Sequence, residues 1–251
     1  MTIGIAIYLF ILGLVCGSFY NVVGLRVPAK QSVVRPPSHC TSCSTRLRSR
    51  DLIPVASYLL AKGKCRHCGA KVSFVYPLGE LLTGLLFVAM FLRFGLTLEL
   101  VAALLLISLA VIITVSDLKY MLIPNKILLA FLPLLVLARI IHHDMPLWQY
   151  ALGAIFGGGI LLLVNLVSGG KMGLGDVKLF AVFGLILGVP NTIVALLLAC
   201  LLGTVIGLTL QLLHLIQRKQ PVPFGPFLAL GTIIAFAYGQ TIIDGYFSII
   251  A

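Results

Sequence analysis

Two aspartates carry the chemistry that this sequence offers. Asp176 stands among glycines in Met172-Gly173-Leu174-Gly175-Asp176-Val177-Lys178, between apolar stretches long enough to cross a bilayer. Asp117 ends another apolar run, in Val115-Ser116-Asp117-Leu118-Lys119. A carboxylate in or beside a bilayer is costly, so each is a functional candidate. Two carboxylates that approach one water share a proton. The ionised member takes a proton from the water, and the protonated member hydrogen-bonds a scissile carbonyl. That is aspartic-protease chemistry, and it needs neither a metal nor a nucleophilic side chain. Gly173 and Gly175 suit it, because an extended peptide must come close to the backbone beside the acid. Three other readings stand beside this one. Asp176 caps the helix that follows it, accepting from free amides; Asp117 pairs locally with Lys119; or the chain is a transporter in which one aspartate relays protons or cations near a broken helix.

The second constellation is Cys40-Thr41-Ser42-Cys43 and Cys65-Arg66-His67-Cys68, with twenty-one residues between the pairs. Two Cys-x-x-Cys pairs at this separation predict a tetrahedral thiolate site for zinc, with every position filled and hence structural. Gly69 suits a backbone that folds tightly past the metal. Arg46, Arg48, Lys64 and Arg66 are near enough in sequence to offset the thiolate charge, and His39 and His67 read as neighbours of the site. Two disulfide or redox pairs are the alternative, which a cytoplasmic location disfavours. Cys16 and Cys200 fall within apolar helices and read as packing residues.

The elements that position these groups follow from composition. The chain has 251 residues, 60% of them hydrophobic and 10% charged, with a mean hydropathy of +1.14. A soluble domain carries about 25% charged residues. The expected fold is an all-α polytopic membrane protein with about eight transmembrane helices, over 3–25, 76–94, 98–116, 124–141, 147–167, 177–189, 193–215 and 224–243. The sixth is short, and the glycines before it and Pro190 after it predict a half-unwound or tilted helix lining a cavity. Residues 3–25 lack a basic n-region and a cleavage site, so they read as a retained helix.

The net charge of +11 reflects topology and not nucleic-acid binding. Ten of the eighteen Lys and Arg residues lie between Arg26 and Lys71, as the positive-inside rule produces. This places 26–75 in the cytoplasm and the N-terminus outside. Alternation from there puts Lys119, Lys171, Arg218 and Lys219 on the inner side, Arg93 and Arg139 on the outer side, and both Asp117 and Asp176 near the cytoplasmic face. His142 and His143 fall in an outer loop and read as solvated. The expected division is a first helix (1–25), a small cytoplasmic zinc-binding domain built on the four cysteines (26–75) and a seven-helix membrane domain (76–251).

These motifs, in order, resemble the type IV prepilin peptidases. Gly17-Ser18-Phe19-Tyr20-Asn21-Val22 with Arg26-Val27-Pro28 resembles the family's first helix and its exit. Asp51-Leu52-Ile53-Pro54-Val55-Ala56-Ser57, between the cysteine pairs, resembles the centre of its cytoplasmic domain, and Tyr76-Pro77-Leu78-Gly79-Glu80-Leu81 the start of its second helix. Asp117 with Ile123-Pro124-Asn125, Gly173-Leu174-Gly175-Asp176, and Pro223-Phe224-Gly225-Pro226-Phe227 resemble the remaining motifs. Thr41 stands where many relatives have proline.

The resemblance implies an aspartic endopeptidase of the bacterial inner membrane, with Asp117 and Asp176 catalytic at the cytoplasmic face. Its substrates are type IV prepilins or pseudopilins, whose basic leader is cut after a glycine and before a phenylalanine or similar residue. It also implies N-methylation of the new amine from S-adenosylmethionine. Glu80 is then a candidate for methyltransfer or substrate-amine binding, or else pairs with a loop Arg or Lys.

Overall fold

A computed structural model describes residues 2–215, 217 and 222–250. Among these residues there is no β-strand. The helices are α1 (Thr2–Arg26), α2 (Ala56–Leu60), α3 (Val75–Phe94), α4 (Leu98–Tyr120), α5 (Asn125–Ile141), α6 (Leu147–Val167), α7 (Leu174–Leu212) and α8 (Gly225–Ile250), with a 3₁₀ turn at Ser49–Asp51. Arg218 and Lys219, expected in an inner loop, lie outside the described residues. Among the described residues, six helices are long and apolar enough to cross a membrane: α1, α3, α4, α6, α7 and α8. Counting α5, of 17 residues, and treating α7 as two segments gives the eight expected.

The chain folds as two compact units, Met1–Leu96 and Thr97–Ala251. In the first, α1 and α3 run antiparallel, with Gly13 against Gly84 and Gly17 against the Glu80 backbone. Asn21 Nδ2 donates to the Tyr76 carbonyl at 3.0 Å, the interhelical bond expected of an amide in a membrane. These contacts hold α1 and α3 in one unit that ends at Leu96.

In the second unit α4 forms the centre, and its Leu106, Leu109 and Ile113 are fully buried. α7 has 39 residues, about 58 Å if straight, against a hydrocarbon core of about 30 Å. It does not run straight. Gly188 has φ +71°, ψ 170°, a conformation that glycine adopts freely and other residues do not. A Cβ built on Gly157 of α6 would lie 2.7 Å from the Phe180 carbonyl oxygen and 3.3 Å from Thr192 Cγ2. In a straight helix those two residues would be about 18 Å apart. The chain therefore reverses at Gly188, between segments 174–187 and 189–212. The short sixth segment of the sequence reading is real, and its break lies at Gly188-Val189-Pro190. The second segment then packs antiparallel on α8, with Ala195 and Ala199 against Gly231 and Gly203 against Phe227.

The reversal leaves a carbonyl to satisfy. Ile186 would bond the amide of residue 190, but Pro190 has none. Arg139 of α5 supplies the donor: its Nε lies 2.8 Å from the Ile186 oxygen. The rest of the guanidinium grips Glu99 in the first turn of α4, Nη1 to Oε2 at 2.8 Å and Nη2 to Oε1 at 3.0 Å. Its carbon lies 4.9 Å from the Tyr150 ring centroid and 5.2 Å from that of Phe236, within cation–π range. Arg139 thus ties five helices together at the end of the unit away from the aspartates. His142 joins the cluster, with Nδ1 3.2 Å from Glu99 Oε2, which corrects its reading as merely solvated. Breaking a buried pair on one side leaves the other charge uncompensated. Glu99→Gln and Arg139→Met are each expected to destabilise the unit by about 3–5 kcal/mol, and the double variant by less than the sum. Thermal unfolding in nanodiscs checks this; additive losses would show that the pair is not coupled.

Candidate active site and metal centre

Asp117 lies in the last turn of α4 and is buried. The turn is closed by Met121 in a left-handed conformation (φ 50°), whose amide bonds the Asp117 carbonyl at 2.8 Å. Ser116 Oγ donates to the Leu122 carbonyl at 2.5 Å, so the chain leaving α4 is held on both sides of the acid. Asp117 Oδ2 accepts the amide of Gly225, the first residue of α8, at 2.9 Å. A Cβ on Gly225 would sit 2.7 Å from that oxygen; only glycine lets the α8 N-terminus come this close. The Phe224-Gly225-Pro226 stretch touches the acid directly through the Gly225 amide.

Asp176 is three residues into α7, with Gly173 as the extended N-cap. Its amide bonds the Gly173 carbonyl at 3.1 Å. Its carboxylate is half-buried and makes no hydrogen bond among the described residues, so it does not cap its own helix. Gly175 rests on Ile123, whose Cβ would be 3.0 Å from a Cβ on the glycine. Ile123 belongs to the same post-α4 turn that follows Asp117, so the two acid-bearing segments meet through it. Nearby, Lys178 Nζ donates to Asn125 Oδ1 at 3.3 Å on an exposed face, joining the first turns of α7 and α5. One acid is held by an amide and the other is free for a water or a substrate carbonyl.

In the first unit the four cysteines converge. Their sulfurs all lie within 4.8 Å of one another, and Cys40 Sγ and Cys68 Sγ are 3.8 Å apart. A tetrahedral metal with thiolate bonds of about 2.3 Å spaces its sulfurs by about 3.8 Å, so the donor set fits zinc. Each pair sits in the same kind of turn. Cys40 N bonds Thr45 O at 3.0 Å and Cys65 N bonds Ala70 O at 2.8 Å; Ser44 N and Gly69 N return to Cys40 O and Cys65 O, both at 2.9 Å. Bridges His39–Arg46 and Lys64–Lys71 flank the two turns, and Ser44 and Gly69 occupy equivalent left-handed positions at φ 56° and 72°. The Cys43 amide beside Cys40, Thr45 beside Cys43, and the Cys68 amide beside Cys65 each lower the facing thiol from its ordinary value. The Ala70 amide acts the same way on Cys68, but Cys43, burial and the other two sulfurs outweigh it and push this thiol up to about 11. Four sulfurs so close cannot all ionise without a cation among them. Arg66 lies apart from this role: its Nε pairs with Asp51 Oδ1 at 3.3 Å, while Asp51 Oδ2 accepts the Arg48 amide at 3.1 Å. Asp51 thereby links the two cysteine turns.

Glu80 is buried one turn inside α3. Its partner is neither a loop Arg nor a loop Lys. Oε2 accepts the Val55 amide at 2.7 Å, at the N-terminus of α2, where Val55 has φ 60°, ψ −52°. A β-branched residue at positive φ is strained, and Glu80 holds it there. Glu80→Ala is expected to release the 52–60 segment at a cost of about 1–3 kcal/mol, with Glu80→Gln largely restoring it, since an amide oxygen still accepts. Hydrogen exchange at the Val55 amide reads this out; equal protection in both variants would remove the role.

Comparison with known proteins agrees with this arrangement. The model of the Bacterial Peptidase A24 N-terminal domain matches residues 11–94, inside the first unit, and that of the Type IV leader peptidase family matches residues 104–208, inside the second. A Bacillus subtilis protein named Prepilin leader peptidase/N-methyltransferase is 43% identical over 95% of this chain and 96% of its own length. Proteins of the same name from Aeromonas salmonicida strain A449 and Pseudomonas aeruginosa are 34% and 33% identical, over 96% and 94% of this chain and 93% and 91% of theirs. No solved structure matches. Identity this high along nearly the whole length, with one family model on each unit, makes the chain a member of the type IV leader peptidase family.

Proposed function

We propose that this protein is a membrane aspartic endopeptidase that removes the basic leader of type IV prepilins or pseudopilins at the cytoplasmic face, and then methylates the new N-terminal amine. Family membership supports both activities, and it displaces the proton- or cation-relay transporter weighed from the sequence. The observation that supports the peptidase reading is the packing of Gly175, next to Asp176, on Ile123 in the turn that follows Asp117, with Asp117 held by the Gly225 amide and Asp176 unbonded among the described residues.

In this reading the ionised member of the pair takes a proton from a water between them. The water oxygen attacks the scissile carbonyl carbon, and the protonated member gives its proton to the carbonyl oxygen. Collapse of the tetrahedral intermediate breaks the C–N bond, and the departing nitrogen takes back a proton to leave as the amine. The proton belongs to the pair and not to one residue. Gly173 keeps the wall beside Asp176 low, so an extended strand of substrate can lie against backbone, while Gly175 lets the Ile123 turn come close.

Zinc is the metal whose bond lengths the four sulfurs fit. Cys40, Cys43, Cys65 and Cys68 would hold it, and with four protein ligands it has no open position for chemistry. S-adenosylmethionine would supply the methyl group. Glu80, the acid expected to face an amine, accepts the Val55 amide through Oε2. In this reading Glu80 positions the Asp51–Ser57 stretch through Oε2 and is the candidate acid for methyl transfer or substrate-amine binding. The proposed topology places the N-terminus outside and 26–75 in the cytoplasm of the inner membrane, on the strength of the basic loop.

The test is to reconstitute the full chain in vesicles with a prepilin and to read the product N-terminus by mass spectrometry. The expected product lacks its leader and carries one added methyl when S-adenosylmethionine is supplied. An uncut prepilin would remove the peptidase reading; a cut but never methylated product would remove the second activity alone.

A further inference from the structure

The loop of the first unit carries apolar side chains that no helix of the bundle accounts for. Leu52, Ile53, Leu59, Leu60 and Phe74 lie outside the membrane-spanning helices and are exposed, Leu59 and Leu60 at 67% and 75%. Clustered exposed apolar surface marks a site of interaction. Its position is set by two contacts with α3. Glu80 Oε2 holds Val55, at the head of α2, at 2.7 Å. Tyr58 of α2 packs edge-on against Phe74, with centroids 6.4 Å apart, immediately before α3 begins. At 1.5 Å per residue, Glu80 lies about 8 Å beyond Val75, inside the span. α2 therefore sits level with the first turns of a membrane helix, and not out in the water beyond them. On α3 itself Leu78, Leu81, Leu82 and Leu85 are exposed at the spacing of one helix face, the face that meets acyl chains. Around α2 stand the exposed cations Arg48, Arg50, Lys62 and Lys64. The one acid of the loop, Asp51, is taken by Arg66 and the Arg48 amide.

We propose that the α2 region is an interfacial anchor. Its leucines and Phe74 enter the boundary between headgroups and acyl chains of the bilayer that α1 and α3 cross, and Arg48, Arg50, Lys62 and Lys64 bind the phosphates of anionic lipids there. Apolar insertion beside basic residues is the pattern by which short helices lie in a membrane surface, and the stems of Lys62 and Lys64 are long enough to reach headgroups while the leucines go deeper. The occupant is phospholipid because the apolar side chains sit level with the first turns of a membrane helix and are flanked by exposed cations where headgroups lie. The anchor would hold the four-cysteine module flat against the membrane.

The test uses the full chain in phosphatidylcholine–phosphatidylglycerol vesicles, with Trp148→Phe as background and Leu60→Trp as the probe. Lipids with brominated acyl chains are expected to quench the probe by roughly twofold or more, while acrylamide in the water has little effect. Replacing phosphatidylglycerol with phosphatidylcholine, or introducing Arg48→Gln, Arg50→Gln and Lys62→Gln together, is expected to weaken lipid quenching. A probe quenched by acrylamide and not by brominated lipid would overturn the anchor. So would a probe shielded from both, which would mean that protein covers the leucines. Lipid quenching indifferent to charge would overturn the anionic part. Leu59→Trp repeats the measurement from the neighbouring position, and an unchanged unfolding midpoint confirms that either probe leaves the fold intact.

Discussion

Asp117→Asn and Asp176→Asn are each expected to lower leader cleavage by about 10²–10⁴-fold or more, with the unfolding midpoint near that of the unaltered protein. The loss corresponds to about 3–5 kcal/mol of transition-state stabilisation. Asparagine is the informative replacement. At position 117 it keeps an oxygen to accept the Gly225 amide, so the α4–α8 contact survives and only the acid–base function goes. At position 176 no hydrogen bond is lost, and any effect on cleavage comes from the missing proton site. Because the two act on one water, the double variant is expected to be little worse than either single one. Asp244→Asn is the control: that carboxylate accepts from Gln240 at 2.9 Å on an exposed stretch of α8, and the variant should cleave normally. A single variant at 117 or 176 that stays within about tenfold of normal kcat/KM would take its residue out of the pair.

The two aspartates and four cysteines were legible because scarce residue types stood in tight local motifs. Seven acidic residues in 251 leave few candidates, and Cys-x-x-Cys twice at that spacing has few meanings. The membrane helices were legible because lipid demands long apolar runs. What the sequence hid was long-range partnering. Nothing local says that Arg139 replaces the amide missing at Pro190, or that Glu99, forty residues earlier, is its counter-ion; both need the reversal at Gly188. A signal did exist: Arg139 is one of only two outer arginines, and Glu99 is an outer acid at a helix start. Glu80 was legible as an expensive carboxylate inside a span, but its partner was a backbone amide, which no side-chain pattern reveals. The Gly225 amide on Asp117 escaped for the same reason.

Removal of the metal is expected to unfold the 38–72 stretch and to leave the second unit intact. The argument rests on what the module lacks. Not one residue from 26 to 75 is buried, and its regular structure amounts to a five-residue helix, a three-residue turn and two isolated bridges. A segment this short and open cannot offset its chain entropy through apolar burial. The four sulfurs close the loop instead, and structural zinc supplies about 10–16 kcal/mol in isolated finger peptides. Asp51, bonded to Arg66 and the Arg48 amide, and Glu80, bonded to Val55, pin the middle and the edge of the loop but not the cysteine turns themselves. Chelation, or Cys40→Ser, should therefore take metal content from one ion per chain to none. It should also expose Arg46, Lys64 and Arg66 to trypsin, while the thermal transition of the second unit, with its own core around Leu106, Phe180 and Leu228, stays where it was. Lowering the pH should act in the same direction, because protons compete with the metal for each sulfur. A metal-free protein whose 38–72 stretch stays protected would mean that packing against the lipid surface, and not the metal, holds the module closed.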